Sequence, residues 1–501
     1  MRDERCSPTR PWRAEDDKFH EECGVFGVWN AADAAALVAL GLHALQHRGQ
    51  EASGIVSLDE TGIFHSHKGQ GLVGDNFSDP KVMNALRGCA ALGHNRYATT
   101  GETALRNVQP LYADFVFGGF AVAHNGNLTN AHGLRRSLVG RGCLFQSTTD
   151  SEVFIHLIAI SLYSTVADRL IDALRQVQGA YSLVALHNAA LIGARDPLGV
   201  RPLVLGRLRG VPGDGEGGPG WVLASETCAL DIVGAEFVRD VEPGEIVIID
   251  GNGVQSVKPF GRHQSRFCVF EYIYFARPDS VVEGTPVYET RKRIGAELAR
   301  ESGVPADVVV PVPDSGVPAA MGYATEAGIP FELGIIRNHY VGRTFIEPTD
   351  QIRHLGVKLK HSANRPALQG RRVVLVDDSI VRGTTSRKIV EMVRAAGAEE
   401  VHMRVSSPPT THSCHYGIDT PERGKLMAAQ HDLEGMARII GVDSLAFISL
   451  DGLYRALGKP GGRDMARPGY CDACFTGDYA IPLTDSMDNA ERQLSLLQIS
   501  Q

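Results

Sequence analysis

Two adjacent carboxylates, Asp377 and Asp378, close a short apolar run, Val373–Val376, and lead through Arg382 and Gly383 into Thr384 and Thr385. A β-branched run bounded by charge reads as a buried strand. Ile389, Val390, Val393 and Ala396 then recur at helical spacing, Thr384 and Thr385 sit where an N-cap hydroxyl is wanted, and Gly397 is placed to stop the helix. Val401–Val405 resumes the strand pattern, so the stretch is a βαβ unit. In open α/β sheets ligands bind beyond the carboxyl ends of the strands, and a helix N-terminus there attracts phosphate. A carboxylate pair beside such a cradle suits a phosphorylated sugar with free hydroxyls, or its magnesium complex. Two neighbouring aspartates alone would favour an exposed acidic turn.

Cys23 is a second candidate. Charged sequence gives way there to the strand-like Gly24-Val25-Phe26-Gly27, whose glycines leave room around the thiol. A free cysteine is most often a small core residue. If residues 1–22 were a leader cut after Glu22, Cys23 would carry an α-amine with an unperturbed pKa of roughly 7.7–8.0, suited to a local general base. A thiol paired with such a base is an activated nucleophile for acyl transfer. Cys471-Asp472-Ala473-Cys474 offers two more thiols at a spacing suited to one metal or cluster, and Cys268 and Cys414 complete a set of four. Zinc is the general expectation for such a set, and a redox pair for an isolated CxxC.

The remaining polar segments punctuate strand and helix ends. Leu42–Gly54 reads as a helix end and a polar turn into a strand. Gly93–Gly101 and Ala123–Leu128 lie at strand ends, and Ser147–Glu152 precedes an apolar helical run with Phe154, Ile155 and Ile158. Asn125-Gly126 is equally a good hairpin turn, and isolated Arg96 or Asp150 would be surface charges. The flanks of His43, His47 and His94 favour turn and packing roles over metal ligation. Cys6, Cys89, Cys143 and Cys228 read as packing or leader residues. Gly210–Gly220 is a flexible loop between the strand-like Leu203–Leu205 and Trp221–Ala224.

At 501 residues the chain is too long for one ordinary core. Its 43% hydrophobic and 22% charged residues are those of a globular protein, and a net charge of −8 leaves no electrostatic footprint for nucleic acid. No apolar run approaches the ~20 residues that cross a bilayer. The first 22 residues are charged and lack an apolar centre, so they are not a secretory signal. Nine cysteines without an export signal do not suggest a disulfide scaffold, and the expected location is the cytoplasm.

Two resemblances organise these residues. Arg372–Thr385 resembles the 5-phosphoribosyl-1-pyrophosphate (PRPP) signature of the phosphoribosyltransferases. That implies that Asp377 and Asp378 hold the ribose hydroxyls and magnesium, while Ser379, Arg382, Gly383, Thr384 and Thr385 wrap the 5′-phosphate. From Cys23 to about Asp250 the sequence resembles the class II glutamine amidotransferases, N-terminal-nucleophile hydrolases with an αββα sandwich. This match also takes in Ala194–Pro197 and Ala224–Thr227. It implies that Cys23 attacks the glutamine amide and that the Asn125 side chain and Gly126 N–H form the oxyanion hole. Arg96 would pair with the substrate carboxylate, and Asp150 would take its ammonium.

Together, Cys23 to about Tyr479 resembles the glutamine PRPP amidotransferase family. The implied organisation is a propeptide (1–22), an amidotransferase domain (23–255) and a phosphoribosyltransferase domain with a mainly parallel sheet (256–501). A strand is expected at Val308–Val312, with Ser315 beyond it as a third contact on magnesium–PRPP, one Mg2+ per subunit. The long basic stretch 337–365 reads as a lid over pyrophosphate, with Arg343 and Lys358 contacting the anion. Tyr274, within Glu271–Ser280, would line a path for ammonia or simply pack. The resemblance to one branch of the family implies a 4Fe–4S cluster on Cys268, Cys414, Cys471 and Cys474, with a structural or oxygen-sensing role. It further implies glutamine and PRPP as substrates, a homotetramer, and feedback by purine nucleotides.

Two rival readings are weaker. Class II enzymes that form glucosamine phosphate or asparagine do not use PRPP. A PRPP-sensing regulator that binds nucleic acid would leave Cys23, Arg96 and Asn125 without purpose, and would need a basic face.

Overall fold

The computed structural model describes residues 23–97, 104–209, 219–338 and 361–485. They pack as two compact units. The larger takes the chain up to Thr290, returns for His412–Thr420 and again from Arg463 onward; the smaller is Arg291–Thr411 with Pro421–Gly462.

Two antiparallel sheets, of seven and six strands, form the larger unit. Gly24–Trp29 lies inside the first sheet, between Ala90–Arg96 and Gly220–Ala224. Gly118–Leu128 lies inside the second, between Leu111–Phe115 and Gly179–His187. Val25, Val56 and Leu92 from one sheet bury against Ala121, Ala123 and Val184 from the other. The helices Ala34–Ala44 and Thr227–Ile232 cover the outer face of the first sheet through Val38, Leu42 and Leu230. Glu152–Ile160 and Val166–Leu174 cover the second through Phe154, Leu157 and Leu170. This is the expected αββα sandwich. Its central strands are covered on both faces, which is why Gly24–Trp29 reads as a continuous apolar run and Ala52–Leu58 is buried throughout, Ser53 and Ser57 included.

Three local differences from the sequence reading follow from this packing. Gly27 leaves room for the facing sheet, not for the thiol, since a Cβ there would lie 2.9 Å from Val184 Cγ1. Asn125-Gly126 is not a turn but lies within the eleven-residue strand Gly118–Leu128. The six-stranded sheet continues through Gly253–Val257, whose mostly exposed residues carry little apolar signal.

The smaller unit holds a four-stranded parallel sheet in the order Val308–Pro311, Arg372–Asp377, Glu400–Val405, Ser444–Phe447. Helices Thr384–Ala395 and Leu433–Ile440 bury Ile389, Val393, Met436 and Ile440 against it. The βαβ unit is as expected except at the helix start. Gly383 occupies the N-cap position with φ +80° and no side-chain cap, and Thr384 and Thr385 are the first two helical residues. The positive φ suits glycine, and it sends the chain from the aspartates directly into the helix.

Candidate active sites

The first site is built where two strand ends meet. Gly24 pairs with Asn95, which sets Cys23 beside Arg96 and Tyr97. The Cys23 thiol donates to the Tyr97 carbonyl at 3.5 Å. A cleft there is lined by Cys23, Arg96, Tyr97, Gly126, Asp150 and Ser151. Burial pushes the Cys23 thiol up to about 11, against the opposing pull of the Arg96 charge. At neutral pH it is therefore a thiol that needs a base.

Asn125 is fully buried, and among the described residues neither atom of its side-chain amide has a hydrogen-bond partner. A buried amide left unpaired costs about 1–3 kcal/mol, so such a group needs a reason, and a ligand atom is one. The Arg96 guanidinium donates to the Asn107 carbonyl. Asp150 accepts from the Leu128 N–H at 2.9 Å on one oxygen and from the Thr149 and Ser151 hydroxyls at 3.2 and 3.3 Å on the other. Arg96, Gly126 and Asp150 thus converge with Cys23 on one cleft, and Asn125 lies next to Gly126 without lining it.

The sequence reading missed the buried polar group behind them. His124 accepts or donates at Ser151 Oγ (3.1 Å), and its N–H donates to Gln109 Oε1 at 2.8 Å. Burial lowers the His124 pKa, keeping the ring neutral. His124 lies in a segment already marked as polar; Gln109 offered no signal. Residues 98–101 of the Gly93–Gly101 segment lie outside the described residues.

In the smaller unit, Asp377 ends its strand and accepts from the Asp378 N–H at 2.9 Å. Asp378 accepts from Ser379 Oγ at 2.8 Å on one oxygen and from Ser315 Oγ on the other. All three residues 377–379 are buried. Ser315 is not a helix cap, since Gly316 holds that position for Val317–Ala327. The loop then delivers Arg382 and Gly383 to the helix start, so the carboxylate oxygens and the helix N-terminus stand within a few residues of each other. Arg343 and Lys358 lie outside the described residues. The stretch that carries them is flanked by two short antiparallel strands, Ile335–Arg337 and His361–Ala363.

The four candidate cluster cysteines all belong to the larger unit. Phe267–Cys268 pairs in parallel with Tyr470–Cys471, placing Cys268 directly beside Cys471. The His412 N–H donates to the Cys474 carbonyl at 3.1 Å, bringing the Cys414 segment alongside. Burial first, and then other thiols of the set with Cys414 acting on both, push Cys268 and Cys471 up to about 12. Cys474 is likewise raised, first by burial and then by Cys268, Cys414 and Cys471. Three buried thiols and the partly buried Cys414 therefore share one neighbourhood. Among the described residues no group of three His, Cys, Asp or Glu side chains is disposed to hold a single ion.

Residues 94–231 match the glutamine amidotransferase domain family and residues 286–409 the phosphoribosyl transferase domain family. An amidophosphoribosyltransferase of Rhizobium etli is 58% identical over 490 residues, covering 96% of this chain and 97% of its own. The chain belongs to the amidophosphoribosyltransferase family.

The amidophosphoribosyltransferase of Bacillus subtilis is 47% identical over 93% of this chain and 95% of its own. The solved glutamine PRPP amidotransferase of that organism, complexed with ADP and GMP, superposes with a TM-score of 0.86 at 46% identity, covering 93% of this chain and 98% of that one. As an amidophosphoribosyltransferase the chain is a pentosyltransferase with its own glutamine amidotransferase domain. The second matched domain removes the class II enzymes that do not use PRPP from consideration.

Proposed function

We propose that Cys23 opens glutamine and that the ammonia released displaces pyrophosphate from C1 of PRPP, giving 5-phosphoribosylamine, glutamate and pyrophosphate in the first step of purine nucleotide synthesis. The observation that carries this is the cleft in which the buried Cys23 thiol faces Gly126, Arg96 and Asp150.

In the first half-reaction Arg96 holds the glutamine carboxylate in a planar fork and Asp150 its ammonium. The Cys23 thiol loses its proton to its own α-amine, freed when residues 1–22 are removed, and the sulfur attacks the amide carbon. The charge that develops on the carbonyl oxygen is met by the Asn125 amide and the Gly126 N–H. The α-ammonium returns that proton to the leaving nitrogen, collapse expels ammonia, and water then releases glutamate from the thioester. We read 23–255 as the amidotransferase domain and 256–501 as the phosphoribosyltransferase domain by these roles, although 256–290, 412–420 and 463–485 pack with the larger unit.

In the second half-reaction Ser379, Arg382, Gly383, Thr384 and Thr385 bind the 5′-phosphate, and Asp377 and Asp378 orient the ribose hydroxyls. Asp377, Asp378 and Ser315 would hold one Mg2+, which when bound offsets charge on the pyrophosphate leaving group. Arg343 and Lys358 close over the pyrophosphate and exclude water. Ammonia in neutral water would be protonated and lose its nucleophilicity, so it passes internally, with Tyr274 beside its route. Cys268, Cys414, Cys471 and Cys474 would hold a 4Fe–4S cluster, which supplies no step of either half-reaction and ties the larger unit together. The chain acts in the cytoplasm as a homotetramer under purine nucleotide feedback; a relative solved with ADP and GMP supports the last point.

Anaerobic incubation with glutamine, Mg2+ and PRPP tests the reading. Glutamate and pyrophosphate are expected in equal amounts, each dependent on the other substrate. Glutamate without pyrophosphate would refute PRPP as acceptor.

A further inference from the structure

The segment His412–Thr420 carries Cys414, but its other residues reach the strand that holds Asn125 and Gly126. The Asn127 amide donates to the His415 carbonyl at 3.0 Å. Arg201, fully buried, donates from Nε and Nη2 to the Tyr416 carbonyl at 3.0 and 2.8 Å. The Arg201 carbonyl in turn accepts from the Ser182 hydroxyl at 3.0 Å, and Ser182 stands directly across the ladder from Asn125. The Tyr416 hydroxyl donates to the Ile481 carbonyl at 2.9 Å and accepts from the Ile481 N–H at 2.8 Å, fixing the segment from the other side.

Gly126 is pressed between two backbones. A Cβ on it would lie 2.1 Å from the Ala180 carbonyl oxygen, and a Cβ on Gly417 would lie 2.9 Å from the Gly126 Cα and 3.0 Å from its carbonyl carbon. Gly126 has φ +134° and Gly417 φ +114°. Glycine takes such values freely and prefers none of them. Gly126 is held within its strand by the ladder to Tyr181, and the backbone of Gly417 also packs against its Cα and carbonyl carbon, so the direction of the Gly126 N–H is set by the two together.

We propose that Gly417, held by Tyr416 and His415, is a positioning residue for the oxyanion hole: its backbone, together with the strand ladder, fixes the direction of the Gly126 N–H. The proposal rests on the reading of Asn125 and Gly126 as that hole. A donor that meets charge only in the transition state must be held within about 0.5 Å of its place, and a misplacement of about 1 Å costs on the order of 10²-fold in rate. Arg96 and Asp150 bind the substrate from other elements, so displacing Gly126 affects the chemical step and not substrate affinity. The segment that brings Cys414 to its site thus also shapes the glutaminase centre.

Full-length, anaerobically purified Gly417→Ala and Asn127→Ala test this, with glutaminase kcat and KM measured separately and iron content as a check on the neighbouring thiols. The added methyl at 417 has to move Gly126; Asn127→Ala only releases the segment. The expected result is a kcat lower by about 10–100-fold for Gly417→Ala and by several-fold for Asn127→Ala, with KM within about twofold and iron unchanged. If Gly417→Ala loses iron, Asn127→Ala, which leaves every residue of 412–420 as it is and removes the bond to the His415 carbonyl, decides on the same kcat criterion when its iron is unchanged. Asn125→Ala separates the two ideas. If it lowers kcat at least about 100-fold while the other two variants keep parental kcat, the positioning role is wrong. If Asn125→Ala has no effect, the oxyanion reading itself fails, and the proposal with it.

Discussion

The hydroxyl of Ser315 donates to the carboxylate of Asp378, a residue 63 positions further along the chain. Val308–Pro311 and Arg372–Asp377 are adjacent parallel strands, so both side chains emerge at the same sheet edge. The bond turns the carboxylate toward a fixed direction. Ser315→Ala should raise KM for PRPP by about tenfold, matching the ~1.5 kcal/mol of a hydrogen bond to a charged group. Pyrophosphate release at varied PRPP and fixed Mg2+ measures it.

Asn125 is buried with no partner for its amide among the described residues. Replacing it removes no internal hydrogen bond, so the fold should tolerate the change while chemistry does not. Asn125→Ala should lower kcat for glutamate release by about 10²–10³-fold. Thermal unfolding close to that of the parent would exclude a folding defect as the cause.

The pH dependence of Cys23 alkylation follows from its environment. Burial disfavours the thiolate and moves the titration up to about 11. Only the thiolate reacts with iodoacetamide, so the rate should rise about tenfold per pH unit from neutral pH to 10. A plateau near pH 8 or 9 would mean that the thiol is not desolvated as described. Quenched time points read by mass spectrometry give the rate at this one residue.

A buried charge network joins the end of the first helix to later segments. Arg48 pairs with Glu226 at 2.8 Å and Glu271 at 2.6 Å, and His47 pairs with Glu226 at 2.7 Å. Arg48→Met would remove the guanidinium that both carboxylates share, leaving Glu226 with His47 and Glu271 with Arg201 at 3.6 Å, and should cost about 3 kcal/mol in urea unfolding. Burial pushes the Glu226 carboxyl up, but His47 and Arg48 more than offset this and hold it well below the usual carboxylate range. Folding therefore favours the ionised form. Its stabilisation is present above the ordinary glutamate pKa of about 4.3 and is lost as pH falls toward the depressed value. The stability gap between parent and Glu226→Gln should shrink on acidification from pH 6 to 3.

The four gathered thiols predict a brown protein when purified without oxygen, with about four irons and four sulfides per chain. Cys414→Ser should lower both counts. Zinc at one per chain, without sulfide, would overturn the cluster.

Much of this was legible in sequence because the informative residues are consecutive. Asp377 to Thr385 places carboxylates, loop and helix start in one string, and the parallel strand before it is apolar on both faces. Cys23 stood out by position, at the change from charge to strand. What escaped depends on contacts between distant residues. The Arg48–Glu271 pair joins positions that no local pattern connects, and His124 and Gln109 support Asp150 only after the strands align. Gly27 was assigned to the wrong neighbour because a sequence does not say which sheet lies across from it. Thr384 was expected to cap a helix that Gly383 begins, a choice settled by backbone geometry.

The larger unit draws on three separated stretches of chain, and Cys268, Cys414 and Cys471 come one from each. A ribosome makes both sheets early, then spends the ~180 residues after Thr290 on other segments before Cys471 emerges. At about 5–20 residues per second that is a wait of roughly ten seconds to over half a minute. Until then Phe267–Cys268 has no partner strand, and Asp485, which accepts from the His132 and Gly133 N–H groups at the start of the helix Ala131–Gly140, has not been made. The nascent glutaminase unit thus stays open through most of translation, and the last segments to be made are the ones that close it.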